Sequence, residues 1–109
     1  MNNTYRFVDG GITAPKGFTA GAKACDVKGN KSGKLDMAIL FSEVDAVAAG
    51  VFTTNKFAAP PVLYCREVLK NGKIRAVVVN SGNANAATGK KGLEDARALA
   101  DCTAKELNL

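Results

Sequence analysis

The sequence predicts an α/β or α+β domain, and three observations carry that class. The run IRAVVVN (74–80) is continuous in β-branched apolar residues and ends abruptly in polar ones, as a strand entering a loop does. From about Thr88 the apolar period changes to that of a helix, with Leu93, Ala96, Leu99, Ala100, Thr103, Ala104 and Leu107 on one face. Two alternating segments, 19–27 and 35–43, flank the turn-rich KGNKSGK, so they read as a hairpin.

Taken in order, GGITAPKGF (10–18) is an irregular lead-in, because its glycines and proline punctuate any regular element. TAGAKACDV (19–27) follows as a half-buried strand, and LDMAILFSE (35–43) as its hairpin partner. AVAAGVFTTN (46–55) is small, apolar and β-branched at its end, which predicts a buried third strand with Gly50 permitting close backbone approach. Pro60 and Pro61 exclude a central strand but suit a helix start, and Asn71-Gly72 is a stop. The expectation is a short extended piece and then one or two helical turns over Cys65 to Lys70. Strand 74–80 is expected to be buried on both faces. The last helix runs about five turns from a Thr88 cap.

Composition excludes more than it assigns. With 109 residues, one domain is the ceiling. No apolar run approaches the ~20 residues that span a bilayer, and MNNTYRFVDGG has no signal-peptide core, so a soluble cytoplasmic chain without membrane contact is expected. Histidine is absent, which removes imidazole catalysis and His-containing zinc sites. Cys25, Cys65 and Cys102 are odd in number and far apart, which suits reduced thiols rather than a disulfide framework or metal knuckle. Neither a metal nor a cofactor is expected. The net charge of +5 is scattered, with only Lys90 and Lys91 adjacent, so nucleic acid is not the expected partner.

The candidate site is the loop NSGNANAATG, and in particular Asn80, Ser81, Gly82, Asn83 and Asn85. A glycine-containing loop between strand and helix invites comparison with phosphate-binding loops. The spacing fails, since Gly82 and Gly89-Lys90 stand six residues apart instead of four and Lys91 replaces the hydroxyl residue. Asn and Ser also bond to nearby main chain in ordinary turns. Three asparagines within six residues at a strand end exceed what a plain turn needs, which points to a pocket lined by side-chain amides.

Other residues are weaker candidates. Thr53 and Thr54 lack a nearby base, and turn chemistry explains them better. Cys65 beside Arg66 reads as a buried structural thiol. Asp26, Asp36, Glu43 and Asp45 show no pairing for acid/base work and read as solvated surface.

Read in order and at their separations, GGITAPKGFTAGA, AVAAGVFTTNKFAAPPV and AVVVNSGNANAATGKKGLEDARALA resemble the N-terminal part of the glutamate N-acetyltransferase / ornithine acetyltransferase family of arginine biosynthesis. The resemblance covers essentially the whole chain. It implies a partial domain of an α/β/β/α sandwich, mixed sheet layers packed with helices, with residues 1–109 forming the N-terminal segment of an α chain.

The resemblance also implies a chemistry that needs no histidine. A precursor cleaves itself before a threonine, whose hydroxyl then carries acetyl from N-acetylornithine to glutamate; some members also use acetyl-CoA. The nucleophilic threonine and the oxyanion-stabilising Thr-Gly pair are expected beyond Leu109, so no catalytic residue is assigned here and the chain alone is expected to be inactive. Ala87-Thr88 is followed by Gly-Lys-Lys and does not match the nucleophile's context. The implied partners are the remainder of the α chain, the β chain and an oligomer. The alternative is a stand-alone, non-catalytic small-molecule binding or scaffolding domain.

Overall fold

The computed structural model describes residues 5–109. Three strands form one antiparallel sheet in the order β1-β2-β3, where β1 is Phe18–Lys23, β2 is Met37–Val47 and β3 is Lys73–Asn80. Helix α1, Pro60–Val68, lies between β2 and β3; helix α2, Gly89–Glu106, follows β3. The α/β class expected from the sequence is what the fold shows.

The hairpin pairs Phe18 with Ser42 through to Lys23 with Met37. β1 is shorter than the expected 19–27, because the Asp36 side chain draws Cys25 and Val27 out of the ladder. β2 starts and ends later than expected and takes in Ala46 and Val47. It pairs with β3 from Met37↔Asn80 to Phe41↔Ala76, and again at Ala46↔Ile74 and Val47↔Lys73. Between Phe41 and Ala46 the β2 chain advances further than β3 does from Ala76 to Ile74, which makes a bulge. Arg75 fills it: Nε donates to the Ser42 carbonyl at 2.8 Å and Nη2 to that of Glu43 at 2.9 Å, with the guanidinium 5.3 Å from the Phe41 ring centre. Those carbonyls would otherwise lack ladder partners.

No third strand forms over 46–55. Residues 48–55 are irregular, and the Ala48 amide bonded to the Gly72 carbonyl is where the pairing ends. Local side-chain bonds take over beyond it, Thr53 Oγ1 accepting from the Asn55 amide and Asn55 Oδ1 from that of Phe57. What comes close to Gly50 is not backbone, as expected, but a side chain, since a Cβ there would lie 2.8 Å from Leu69 Cδ1. Helix α1 begins earlier than the expected Cys65, with the proline pair at its first positions, where a missing N–H costs no helical bond. It tightens into a 3₁₀ turn over Leu69–Asn71 and stops at Gly72, whose φ of 69° is left-handed.

β3 is not buried on both faces. Its Ile74, Ala76 and Val78 are half-buried on the side facing the helices, whereas Val77 and Val79 are 41% and 56% exposed on the other. Period-two alternation and the register continue that uncovered face through Ala38 and Leu40 to Ala22, Ala20 and Phe18. A single helical layer covers one side of the sheet, and the opposite apolar side is open.

The helices pack on each other, with α2 against β3. Each apolar residue that the helical period assigns to α2 is at least partly buried, and Thr103 is buried outright. Arg97 pairs with Glu67 across the two helices at 2.6 Å and lies 5.9 Å from the Tyr64 ring centre. Among the described residues the buried positions are Ser42, Pro60, Gly92 and Thr103. The accessible surface of 8779 Å² compares with about 5,700 Å² for a folded monomer of this mass. The radius of gyration of 16.1 Å compares with about 13 Å. The fold is thus an open half-layer rather than a closed core.

Candidate functional site

The C-terminal end of β1, the start of β2 and the end of β3 meet at one edge of the sheet, since Met37 is opposite both Lys23 and Asn80. Asp36 ties the two loops that leave this edge. Its carboxylate accepts from the Cys25 amide at 2.6 Å and the Val27 amide at 2.7 Å, and its carbonyl accepts from the Ser81 amide at 2.8 Å. The bond from Cys25 leads the causes that hold the Asp36 carboxyl below its ordinary value, against a smaller opposing effect of burial. The expectation that Asp36 is only solvated surface is therefore corrected: it is half-buried and organises the hairpin loop. A lone carboxylate in a sequence carries no sign of such a long-range bond.

The loop that leaves β3 divides in two. Ser81 and Gly82 turn toward the hairpin loop. Gly82 has a φ of 98°, and a Cβ there would lie 3.2 Å from Lys28 Cβ, so both the conformation and the contact favour glycine. Asn80, Asn83 and Asn85 turn instead toward a cleft of about 840 Å³ between the helices and β3. Its other walls are mainly apolar or small, from Ala76 and Val78 on β3 to Ala96, Leu99 and Ala100 on α2, with Tyr64, Lys73, Arg75 and Asp95 also bordering it. The volume falls within the range of small-molecule sites, although the cleft is open along one side.

Asn80 Nδ2 donates to the Asn83 carbonyl at 3.1 Å, which curls the loop. Asn85 Nδ2 donates to the Gly92 carbonyl at 2.7 Å, and its Oδ1 accepts from the Thr88 hydroxyl. Thr88 occupies the residue before α2, as expected, but its hydroxyl makes no capping bond to the helix. The Asn85 oxygen competes successfully for it. Gly92 makes this possible: a Cβ there would fall 1.8 Å from Thr88 Oγ1 and 2.4 Å from Asn85 Oδ1. Sequence reading did not find Gly92, although a glycine within a helix face four residues after a Thr is the signal that could have found it.

The first turn of α2 carries Lys90 and Lys91, whose charges oppose the helix dipole. Glu94 and Asp95, one turn on, pair with them. The hydrogen bond to Asp95 raises the Lys91 pKa above its ordinary value. Tyr64, which borders the cleft from α1, has its phenol pushed up by burial and then by the negative charge of Asp101.

The cleft can hydrogen-bond a ligand through amides, and the hydroxyls of Thr88 and Thr53 are engaged elsewhere. Thr88 donates to a carboxamide, and Thr53 accepts from a main-chain amide. Cys65 borders the cleft and is exposed, not buried as expected, because it faces the unfilled space between α1 and β3. All three cysteines are free. No group of residues that could hold a metal ion is found among the described residues, and no described helix is long and apolar enough to cross a membrane.

Comparisons with known proteins place this architecture in context. The sequence model of the ArgJ family matches residues 19–109. The chain is 49% identical over 100 residues to the arginine biosynthesis bifunctional protein ArgJ of Symbiobacterium thermophilum, covering 92% of this chain and 25% of that protein. It is 51% identical over 105 residues to the glutamate N-acetyltransferase of Methanocaldococcus jannaschii, covering 95% and 24%. Among solved structures, ornithine acetyltransferase complexed with ornithine from Mycobacterium tuberculosis superposes with a TM-score of 0.75 at 50% identity, covering 81% of this chain and 45% of that one. The ArgJ of Bacillus halodurans gives a TM-score of 0.83 at 38% identity, covering 92% and 51%. The chain spans about a quarter of the length of the curated relatives it matches.

Proposed function

Because this chain belongs to the ArgJ family, we propose that it supplies the N-terminal segment of the α chain of an acyltransferase that moves acetyl from N-acetylornithine to glutamate in arginine biosynthesis. In this reading a threonine outside residues 1–109 attacks the acetyl-amide carbon, the C–N bond breaks, and ornithine leaves with its amine protonated. The glutamate amine then attacks the acyl-threonine ester and regenerates the hydroxyl. The oxyanion that forms in each half is met by a Thr-Gly pair that is also outside this segment. Acetyl-CoA serves as a second donor where the enzyme is bifunctional.

The segment's own contribution is scaffold and wall. Asn80, Asn83 and Asn85 present neutral amides toward the cleft, and Ser81 and Gly82 anchor their loop to the hairpin. The open sheet face of Phe18, Leu40, Val77 and Val79 is where further parts of the α chain or the self-cleaved β chain pack. The working enzyme is an oligomer in the cytoplasm, without nucleic acid or membrane partners.

The observation that carries this reading is the coincidence of the family match with a cleft toward which the amides of Asn80, Asn83 and Asn85 turn. Co-expressing the segment with the rest of a family enzyme tests it. Acetyl transfer from N-acetylornithine to glutamate should appear with both pieces and be absent with this one. Saturable N-acetylornithine binding by the segment alone would favour a stand-alone binding domain instead.

A further inference from the structure

The three asparagines of the β3–α2 connection do not meet the cleft on equal terms. Asn85 is engaged at both ends of its carboxamide, by the Gly92 carbonyl and the Thr88 hydroxyl. Asn80 has its NH₂ on the Asn83 carbonyl. The main chain at Asn83 is therefore held from one side by Asn80, and its loop is pinned two residues later by Asn85. Among the described residues the Asn83 carboxamide itself has no hydrogen-bond partner, and it borders the cleft.

Gly92 makes the pin specific. Any side chain there would overlap Asn85 Oδ1 and the Thr88 hydroxyl that donates to it, and the Thr88 Cβ at 2.7 Å shows that rotating the hydroxyl away would not relieve it. The contact joins the first turn of an 18-residue helix to the loop, so the loop cannot shift without the helix.

We infer that Asn85 is a positioning residue, with Gly92 as its receptor, and that Asn83 is the carboxamide this arrangement leaves to hydrogen-bond the acetyl-amide group of the donor. A carboxamide carries both an N–H donor and a C=O acceptor, so it can serve either the C=O or the N–H of a secondary amide, which point to opposite sides in the trans form. This inference rests on the acyl-transfer reading above.

The test uses the complete enzyme carrying this segment, in two measurements. In turnover, Asn83→Ala should raise KM for N-acetylornithine about tenfold, the effect of one lost hydrogen bond, with kcat and melting temperature near the parent's. Asn85→Ala should raise the same KM and also lower the melting temperature, and the KM effects of the double variant should not multiply. Thr88→Ser, which keeps the hydroxyl, should behave as the parent. Calorimetric titration of the same variants with N-acetylornithine should show the same weakening without relying on turnover. Unchanged affinity in Asn83→Ala overturns the role of Asn83. An Asn85→Ala variant that melts earlier but keeps parental affinity overturns positioning and leaves Asn85 purely structural. If the parent enzyme binds N-acetylornithine yet transfers no acetyl, the acyl-transfer reading fails while the titrations still decide the inference.

Discussion

Asn85 Nδ2 donates to the Gly92 carbonyl at 2.7 Å, and Gly92 is the residue whose missing Cβ lets Asn85 and Thr88 sit against the first turn of α2. A helix would ordinarily gain from alanine in place of glycine, by about 1 kcal/mol. Here the added methyl meets two short side chains, and such overpacking costs about 1–3 kcal/mol. Gly92→Ala should therefore lower stability rather than raise it. Denaturant or thermal unfolding of the two proteins checks the sign.

The Asp36 carboxylate sets the acid limit of the hairpin loop. Its pKa is lower in the folded chain than the ordinary 3.8, so its contribution is fully present above that value. It is lost as pH falls through the lower folded value. Amide exchange or NMR shifts at Cys25 and Val27 should show the loop loosening below about pH 4, the ordinary carboxylate range. Asp36→Asn should show the loosened loop already at neutral pH.

Arg75 closes the β2 bulge with two bonds to main-chain carbonyls. Arg75→Ala leaves both without a partner and should cost about 1–3 kcal/mol. Arg75→Lys should recover only part of this, since an ammonium cannot reproduce the planar fork that reaches both carbonyls. Unfolding free energies of the two variants measure the difference.

The Arg97–Glu67 pair joins α1 to α2, but both side chains are about half exposed. A double-mutant cycle with Arg97→Ala and Glu67→Ala should return a coupling of less than about 1 kcal/mol. Raising the salt concentration should reduce it further. A larger, salt-insensitive coupling would mean that the helix pair relies on charge more than on Tyr64, Leu99 and their neighbours.

Particular residues show how far the sequence is legible. The α2 face from Leu93 to Leu107 could be read from period alone, because a helix on a sheet repeats the same environment every turn. The same logic failed for 46–55. Its β-branched residues satisfy strand propensity, yet propensity cannot say whether a neighbouring strand offers an edge, and Thr53 and Asn55 bond locally instead. It failed for β3 in the opposite way: a continuous Ala76–Val79 run implies two covered faces, and this chain covers one of them. In the loop, Asn80, Asn83 and Asn85 border the cleft, but which of their amides are engaged depends on Gly92, twelve residues beyond Asn80, and on a contact no local pattern encodes.

Acetyl placement is the most direct measurement of the central claim, that this segment builds a wall of the acyl-transfer site while the acyl-carrying hydroxyl lies elsewhere in the enzyme. The segment and the remainder of a family enzyme would be co-expressed, incubated with N-acetylornithine without glutamate, and weighed as intact chains. The expected result is one acetyl group on a chain other than this one, removed on adding glutamate. An acetyl ester on a threonine or serine of residues 1–109 would contradict the account.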